Sequence, residues 1–349
     1  MVQEFRTDIL FINKRRENYG ESLEVWNPNT TKTSSGLTNS VSMLVSMLQA
    51  FGITAALEEV IDNNCIDRVV TLHRPKIVII EALWVVPEKF EILHRLHPEV
   101  RWVIRLHSEI PFLSNEGIAF KWLNAYAKMY PVVSISANSD RMQKALKELY
   151  DVPIFHLPNF YVCAYNYAPN TRKTPGVLNI SCFGAIRPLK NHLIQAVAAI
   201  HFCEKNKLHL RFHINASRIE GNAQSALKNL RELFSETSHE LVEHYWLEHD
   251  DFINLIRDEI DLGMQVSFSE SYNIVAADHI DCGIPVVTSS EVRFVASPFT
   301  AEPTDLGGIE CAISNALMGQ RLYLHRINNY YLRKSNTESS TKWIKFLEI

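Results

Sequence analysis

Short apolar, β-branched runs recur along the chain, with polar, helix-forming stretches between them. In the first half they fall at Thr7 to Ile12, Ile77 to Ile80, Trp102 to Leu106, Val132 to Ser136 and Ile154 to Leu157. In the second half they fall at Leu178 to Phe183, Leu208 to Ile214, Glu240 to Tyr245, Met264 to Phe268 and Pro285 to Thr288. Such runs suit parallel strands covered on both faces. Helical patterns lie between them at Asn39 to Phe51, Asp140 to Tyr150, His192 to Glu204 and Asp250 to Glu259. Strands alternating with amphipathic helices predict α/β, doubly wound parallel-sheet packing.

The alternation breaks once, in NFYVCAYNYAPNTRKTPGV, residues 159 to 177, a polar, Pro- and Gly-containing run that reads as a linker. It predicts an N-terminal domain over 1–165 and a C-terminal domain over 175–320. A helical tail over 321–349 follows, free to cross back to the first domain. A chain of 349 residues is too long for one average domain and comfortable for two.

Composition narrows the function classes. The formal net charge of -4 argues against a protein that coats nucleic acid with one basic surface. Six scattered cysteines without a Cys-x-x-Cys pair give no zinc or redox motif. They read as buried thiols of a reducing compartment. The opening MVQEFRTDILFINKRR lacks signal-peptide order, and no apolar run reaches membrane-spanning length, so the expected location is cytoplasmic.

Candidate chemistry collects where strands of the second half end, because open α/β sheets bind ligands at the carboxyl ends of their strands. In CFGAIRPLKNH, residues 182 to 192, Gly184 permits a tight turn. Arg187 and Lys190 stand near the next helix N-terminus, where cations suit a phosphate or diphosphate. A solvated basic turn explains the same residues. In SFSESYNIVAADHIDCGIPVVTSS, residues 267 to 290, Glu270 follows an expected strand, and Ser271 or Asn273 can cap the next helix. Gly283 and Pro285 end that helix, and Asp278 lies about 12 Å from Glu270 at helical rise. The pair reads either as two grips on opposite ends of one ligand or as ordinary surface charge. His107, in VIRLHSEI, is a strand-end histidine of structural or catalytic kind. Gly36 sits in a small-residue loop feeding a helix.

Taken in order, these segments resemble retaining glycosyltransferases of the GT-B fold, especially the family 4 type. Gly36 and its helix look like the glycine loop after the first strand, and RLHS looks like the strand-end histidine. SISANSDRMQKALKELYDVPIFHLPN, FGAIRPLKN, ESYNIVAAD and CGIPVV look like the later signatures, the third matching Glu-x7-Glu. The resemblance implies two Rossmann-like domains facing across a cleft. It implies a nucleotide-sugar donor, UDP-linked, and transfer of a hexose or pentose with retention and without a metal. Arg187 and Lys190 would then neutralise the diphosphate, Glu270 would bind sugar hydroxyls, and Asp278 would bind the ribose. Ser271, Tyr272, Asn273 and Ile274 would line the donor, and His107 would reach the sugar from the other domain. The family's glycines are replaced by Ser271 and Asn273, and its second glutamate by the shorter Asp278.

The acceptor is the open end of this reading. A hydroxymethylated DNA base would call on Lys14, Arg15 and Arg16, with Arg101, Arg105, Lys121, Trp84, Phe112 and Trp122 lining a base-stacking cleft. The alternatives are a saccharide or other small soluble acceptor, or a non-catalytic nucleotide-sugar-binding protein. An oxidoreductase would need the dinucleotide fingerprint Gly-x-Gly-x-x-Gly, which the chain lacks.

Overall fold

The first sheet begins with β1 (Thr7–Lys14), whose apolar positions are buried on both faces, as a central strand requires. A computed structural model describes residues 6–15, 36–163, 174–322 and 324–348. Arg16 and positions 164–173 of the expected linker lie outside the described residues. The described chain divides into two units. One holds 36–162 with β1 and the chain from Asn336, and the other holds Cys163 and 174–335.

In the first unit β1 is followed by α1 (Gly36–Ala50), β2 (Ala55–Val60), α2 (Ile66–His73), β3 (Pro75–Glu81), α3 (Lys89–Leu96) and β4 (Arg101–Leu106). Then come α4 (Ile110–Leu113), α5 (Ala119–Lys128), β5 (Val133–Ala137), α6 (Asp140–Leu149) and β6 (Ile154–His156). The strands form one parallel sheet in the order β2-β1-β3-β4-β5-β6. The strand β2 is unexpected from sequence. Ala55, Ala56, Leu57, Glu58 and Glu59 favour helix, but pairing with β1 at the sheet edge overrides that preference.

The second unit contains β7 (Val177–Ser181), α7 (His192–Lys205), β8 (His209–Asn215), α8 (Gln224–Ser235), β9 (Glu240–His244) and α9 (His249–Glu259). It continues with β10 (Leu262–Gln265), α10 (Ile274–Asp281), β11 (Val286–Thr288) and α11 (Leu306–Arg321). Its parallel sheet runs β11-β10-β7-β8-β9. Strands β7 and β10 stop earlier than expected, so Phe183 and Phe268 lie in the loops beyond them. Those longer loops carry the candidate site. None of the six cysteines is in a disulfide.

A last helix, α12 (Ile327–Leu347), ends within the first unit. There Trp343 is fully buried against Phe11, its centroid 5.6 Å from that ring. Its indole N–H donates to the Pro158 carbonyl at 2.8 Å, and the Arg105 guanidinium lies 5.4 Å from its ring centre. Phe346 packs beside it at 6.2 Å. The apolar side of α12 thus completes a core that β1 and α1 leave open. Truncating Trp343→Ala is expected to lower unfolding stability by about 3–5 kcal/mol, read as a shift of the denaturant midpoint. A shift under about 1 kcal/mol would mean the helix end is not part of this core.

Candidate functional site

In the second unit the loops after β7 and β10 are laced together by side chains. The loop after β7 turns at Gly184, whose φ of +108° is the left-handed region that glycine enters without strain. The Gly184 amide donates to Asn215 Oδ1 at 2.8 Å, tying this loop to the end of β8. Pro188–Lys190 then forms a single 3-10 turn, and Asn191 adopts a left-handed conformation before α7. That conformation lets Asn191 Nδ2 donate to the Val266 carbonyl at 3.0 Å and the Pro303 carbonyl at 2.8 Å. Gln195, wholly buried, donates to the Lys190 carbonyl at 2.7 Å and accepts from the Val266 amide at 2.8 Å. The Phe268 amide donates to Leu189 at 2.9 Å. The two loops therefore hold one fixed geometry.

Lys190 and Glu270 meet inside this lacing. Lys190 Nζ lies 2.5 Å from Glu270 Oε1, and each side chain is only 10% exposed. Lys190 is thus not a solvated charge on a basic turn. Gln265, at the end of β10, accepts from Lys190 Nζ at 3.4 Å and from Asn273 Nδ2 at 2.9 Å. Its own amide donates to the Phe183 carbonyl at 2.9 Å. Asn273 also donates to Glu270 Oε1 at 3.2 Å, while its Oδ1 caps α10 through the Ala276 amide at 2.9 Å. Asn273, and not Ser271, is the cap. Glu270 stands four residues before α10, in a loop, with its amide donating to Glu291 at 3.2 Å. Its separation from Asp278 is therefore not a helical rise.

Helix α10 is seated by His279, whose ring lies where a Cβ on Gly263 would be, 2.6 Å from its Cδ2. The His279 Nδ1–H donates to the Val275 carbonyl at 2.7 Å, and Nε2 accepts from the Ser181 hydroxyl at 2.7 Å. This anchor fixes Asp278, one residue earlier, with its side chain only 2% exposed and Oδ1 2.9 Å from His249 Nε2. Burial pulls the His249 pKa down, but the bond and charge of Asp278, with Asp250, hold it above its ordinary value. Tyr272 packs 5.3 Å from Phe294, and burial together with Asp278 and Cys163 pushes its hydroxyl pKa well up. Arg187 turns to Glu220 at 3.6 Å, which also meets Arg218 at 2.9 Å. Ile274 opens α10, half-buried. The structure thus brings Lys190, Glu270 and Asn273 together and pairs Asp278 with His249.

The first unit has its own polar cluster. Strand register sets Glu81 of β3 beside Arg105 of β4, both fully buried, 3.0 Å apart. Arg105 also donates to Leu157 O at 2.8 Å and Asn159 Oδ1 at 2.5 Å. The His107 Nε2–H donates to Glu81, and the Asn138 amide lies 3.4 Å from His107 Nδ1. Burial opposes ionisation of Glu81, yet Arg105 and His107 together hold its carboxyl below the usual range. Burial, assisted by Arg105, keeps His107 below its ordinary value against the pull of Glu81. Gly36 opens α1, half-buried.

Two arginines of the basic acceptor set are committed within the first unit. Arg105 is enclosed in the Glu81 pair and cannot meet a phosphate backbone. Arg101 stacks on Phe155 and Phe346, 5.0 and 4.5 Å from their centres. Trp84 donates to the Glu81 carbonyl at 2.9 Å, with Phe112 and Trp122 half-buried. Lys14, Arg15 and Lys121 are exposed. Among the described residues no three His, Cys, Asp or Glu side chains gather as a metal set, and no helix is long and apolar enough to cross a membrane.

No family model and no curated protein matches the chain. Solved structures do. Sucrose-phosphate synthase from Thermosynechococcus elongatus superposes with a TM-score of 0.70 at 12% identity, covering 98% of each chain. An α,α-trehalose 6-phosphate synthase from Burkholderia multivorans gives 0.64 at 12% identity, over 99% of this chain and 97% of that one. An E. coli trehalose-6-phosphate structure bound with UDP-2-fluoro glucose gives 0.62 at 12% identity, over 97% and 99%.

The fold is GT-B. In GT-B terms the sheet β11-β10-β7-β8-β9 belongs to the second Rossmann-like unit, and Lys190, Glu270 and Asn273 lie beyond its strand ends. Sequence reasoning had no reason to select Gln265, Gln195, Asn191, His249, His279 or Glu81. Each acts through a partner distant in sequence, which no local pattern reveals.

Buried neutral histidines give an acid limit. Burial, aided by nearby cations, takes His192 down to about 3, and burial beside His244 takes His213 to about 3. Burial and Lys342 lower His156 to about 4. Their folded values lie below the unfolded value of about 6.5, so the unfolded chain binds more protons in between, and stability falls with falling pH. The midpoint of thermal unfolding is expected to drop as pH goes from about 6.5 to 4.5; the raised His249 acts above that window, where its contribution is lost as pH rises through its folded value. A flat midpoint across that window would mean these rings are not held neutral.

Proposed function

We propose that the chain is a retaining glycosyltransferase of the family 4 type, moving a sugar from a nucleotide-sugar donor to a hydroxyl acceptor. The observation that carries this reading is the buried Lys190–Glu270 pair, braced by Gln265 and Asn273 beyond the strand ends of the second sheet. That is where ligands of open α/β sheets sit. A carboxylate and an ammonium held in one enclosed place suit a ligand with sugar hydroxyls next to an anionic diphosphate. The names of the similar structures support a UDP-hexose as donor, since one is bound with UDP-2-fluoro glucose. They also favour a saccharide as acceptor over a DNA base, and the enclosure of Arg105 removes one of the cations the DNA reading used.

In this reading Lys190 and Arg187 offset the diphosphate charge as the bond to the sugar breaks, and Glu270 holds sugar hydroxyls. Retention follows when the acceptor hydroxyl attacks from the face the diphosphate leaves and gives its proton to the departing phosphate oxygen. No protein nucleophile is needed. Ser271, Tyr272, Asn273 and Ile274 line the donor, and Asn273 keeps Glu270 oriented while capping α10.

The test is a thermal-shift screen of nucleotide sugars without added metal, followed by transfer assays with the donor that stabilises the protein. One donor is expected to raise the unfolding midpoint of the wild type and not of Glu270→Ala. That variant should lose about 100-fold or more in kcat/KM, while circular dichroism shows it folded. Equal stabilisation of both proteins, or no stabilisation by any donor, would sink the assignment.

A further inference from the structure

The pairing of Asp278 with His249 changes which atom can touch a ligand at the donor end of α10. Asp278 is the second carboxylate of the motif, but its side chain is only 2% exposed, and Oδ1 is taken by His249 Nε2 at 2.9 Å. A ligand hydroxyl approaching from solvent does not meet the carboxylate first. The His249 ring, 22% exposed, is the member of the pair that reaches solvent. His249 is the first residue of α9, just past the end of β9, on the strand-end side of the sheet. With Nε2 committed to Asp278, Nδ1 has no hydrogen-bond partner among the described residues. The loops around it are fixed: the Trp246 amide donates to Ser217 Oγ at 2.8 Å, and Asn215 reaches both Gly184 and Tyr245.

We infer that His249, and not Asp278, makes the contact to the ribose hydroxyls of the donor, with Asp278 as a positioning residue that holds the imidazole. The inference rests on the nucleotide-sugar reading above and deepens it by naming the recognition group for the nucleoside. The histidine supplies the reach that the shorter aspartate lacks. A carboxylate behind an imidazole fixes its orientation and keeps Nε2 protonated, so that Nδ1 faces the ligand. Both residues belong to the second unit, so the contact needs nothing from the first.

Isothermal titration of the full chain with UDP, 2′-deoxy-UDP and 2′,3′-dideoxy-UDP tests this directly. Wild type is expected to bind UDP about tenfold more tightly than the dideoxy analogue, the size of one well-made hydrogen bond. In His249→Ala that ratio should fall to about one, with UDP itself bound about tenfold more weakly. His249→Gln, which keeps a polar terminus, should recover part of the ratio. Asp278→Asn should reduce the ratio less than His249→Ala does. An unchanged ratio in His249→Ala would overturn the inference while leaving the donor reading standing, as would a wild type that binds all three nucleotides alike. Failure of the wild type to bind any of them would overturn the donor reading and this inference with it.

Discussion

The second unit is organised around the primary amide of Gln265. A buried amide must satisfy its donor and acceptor capacity or lose roughly 1–3 kcal/mol for each unmet group. Gln265 does so by giving its N–H to the Phe183 carbonyl and taking bonds from Lys190 and Asn273. One side chain at a strand end therefore determines where the loop after β7 runs, where the ammonium sits and how α10 begins. Gln195 repeats the device one layer back, between the Val266 amide and the Lys190 carbonyl. Glu270 inherits its place from this frame.

Enclosure gives that arrangement its chemical character. An ion pair on the surface is screened and contributes little, whereas removing one partner of an enclosed pair strands the other charge at about 3–5 kcal/mol. Lys190 and Glu270, each 10% exposed, are close to the second case. The pair is held in place before any ligand arrives, so in the proposed function little reorganisation is required when a diphosphate competes for the ammonium and sugar hydroxyls compete for the carboxylate. The first unit uses burial differently. Arg105 is saturated by Glu81, Leu157 and Asn159, so it fixes strand ends and the His107 tautomer but offers nothing outward.

This difference explains how much was legible in the sequence. Apolar runs located ten strands, because burial on both faces leaves a continuous hydrophobic signature whatever the neighbours are. They missed β2, whose Ala, Leu and Glu residues carry a helical preference that only pairing with β1 overrides. The loop carboxylate Glu270 and the cation Lys190 were legible as residue types at strand ends. Their partnership was not, since 80 positions separate them and nothing local marks the contact. Arg105 shows the opposite failure. Its charge suggested an exposed groove, and only the strand register that sets it beside Glu81 reveals a buried pair.

The departures from the family pattern also make sense physically once their partners are seen. A glycine at position 273 would leave α10 uncapped by a side chain and Glu270 without its second hydrogen bond. Asn273 supplies both through one amide. A glutamate at position 278 would push a longer carboxylate into the space that the His249 ring now occupies. An aspartate withdraws it, and the imidazole fills the gap at 2.9 Å. Asn273 and Asp278 therefore each come with a contact that the replaced residue would not make in the same way.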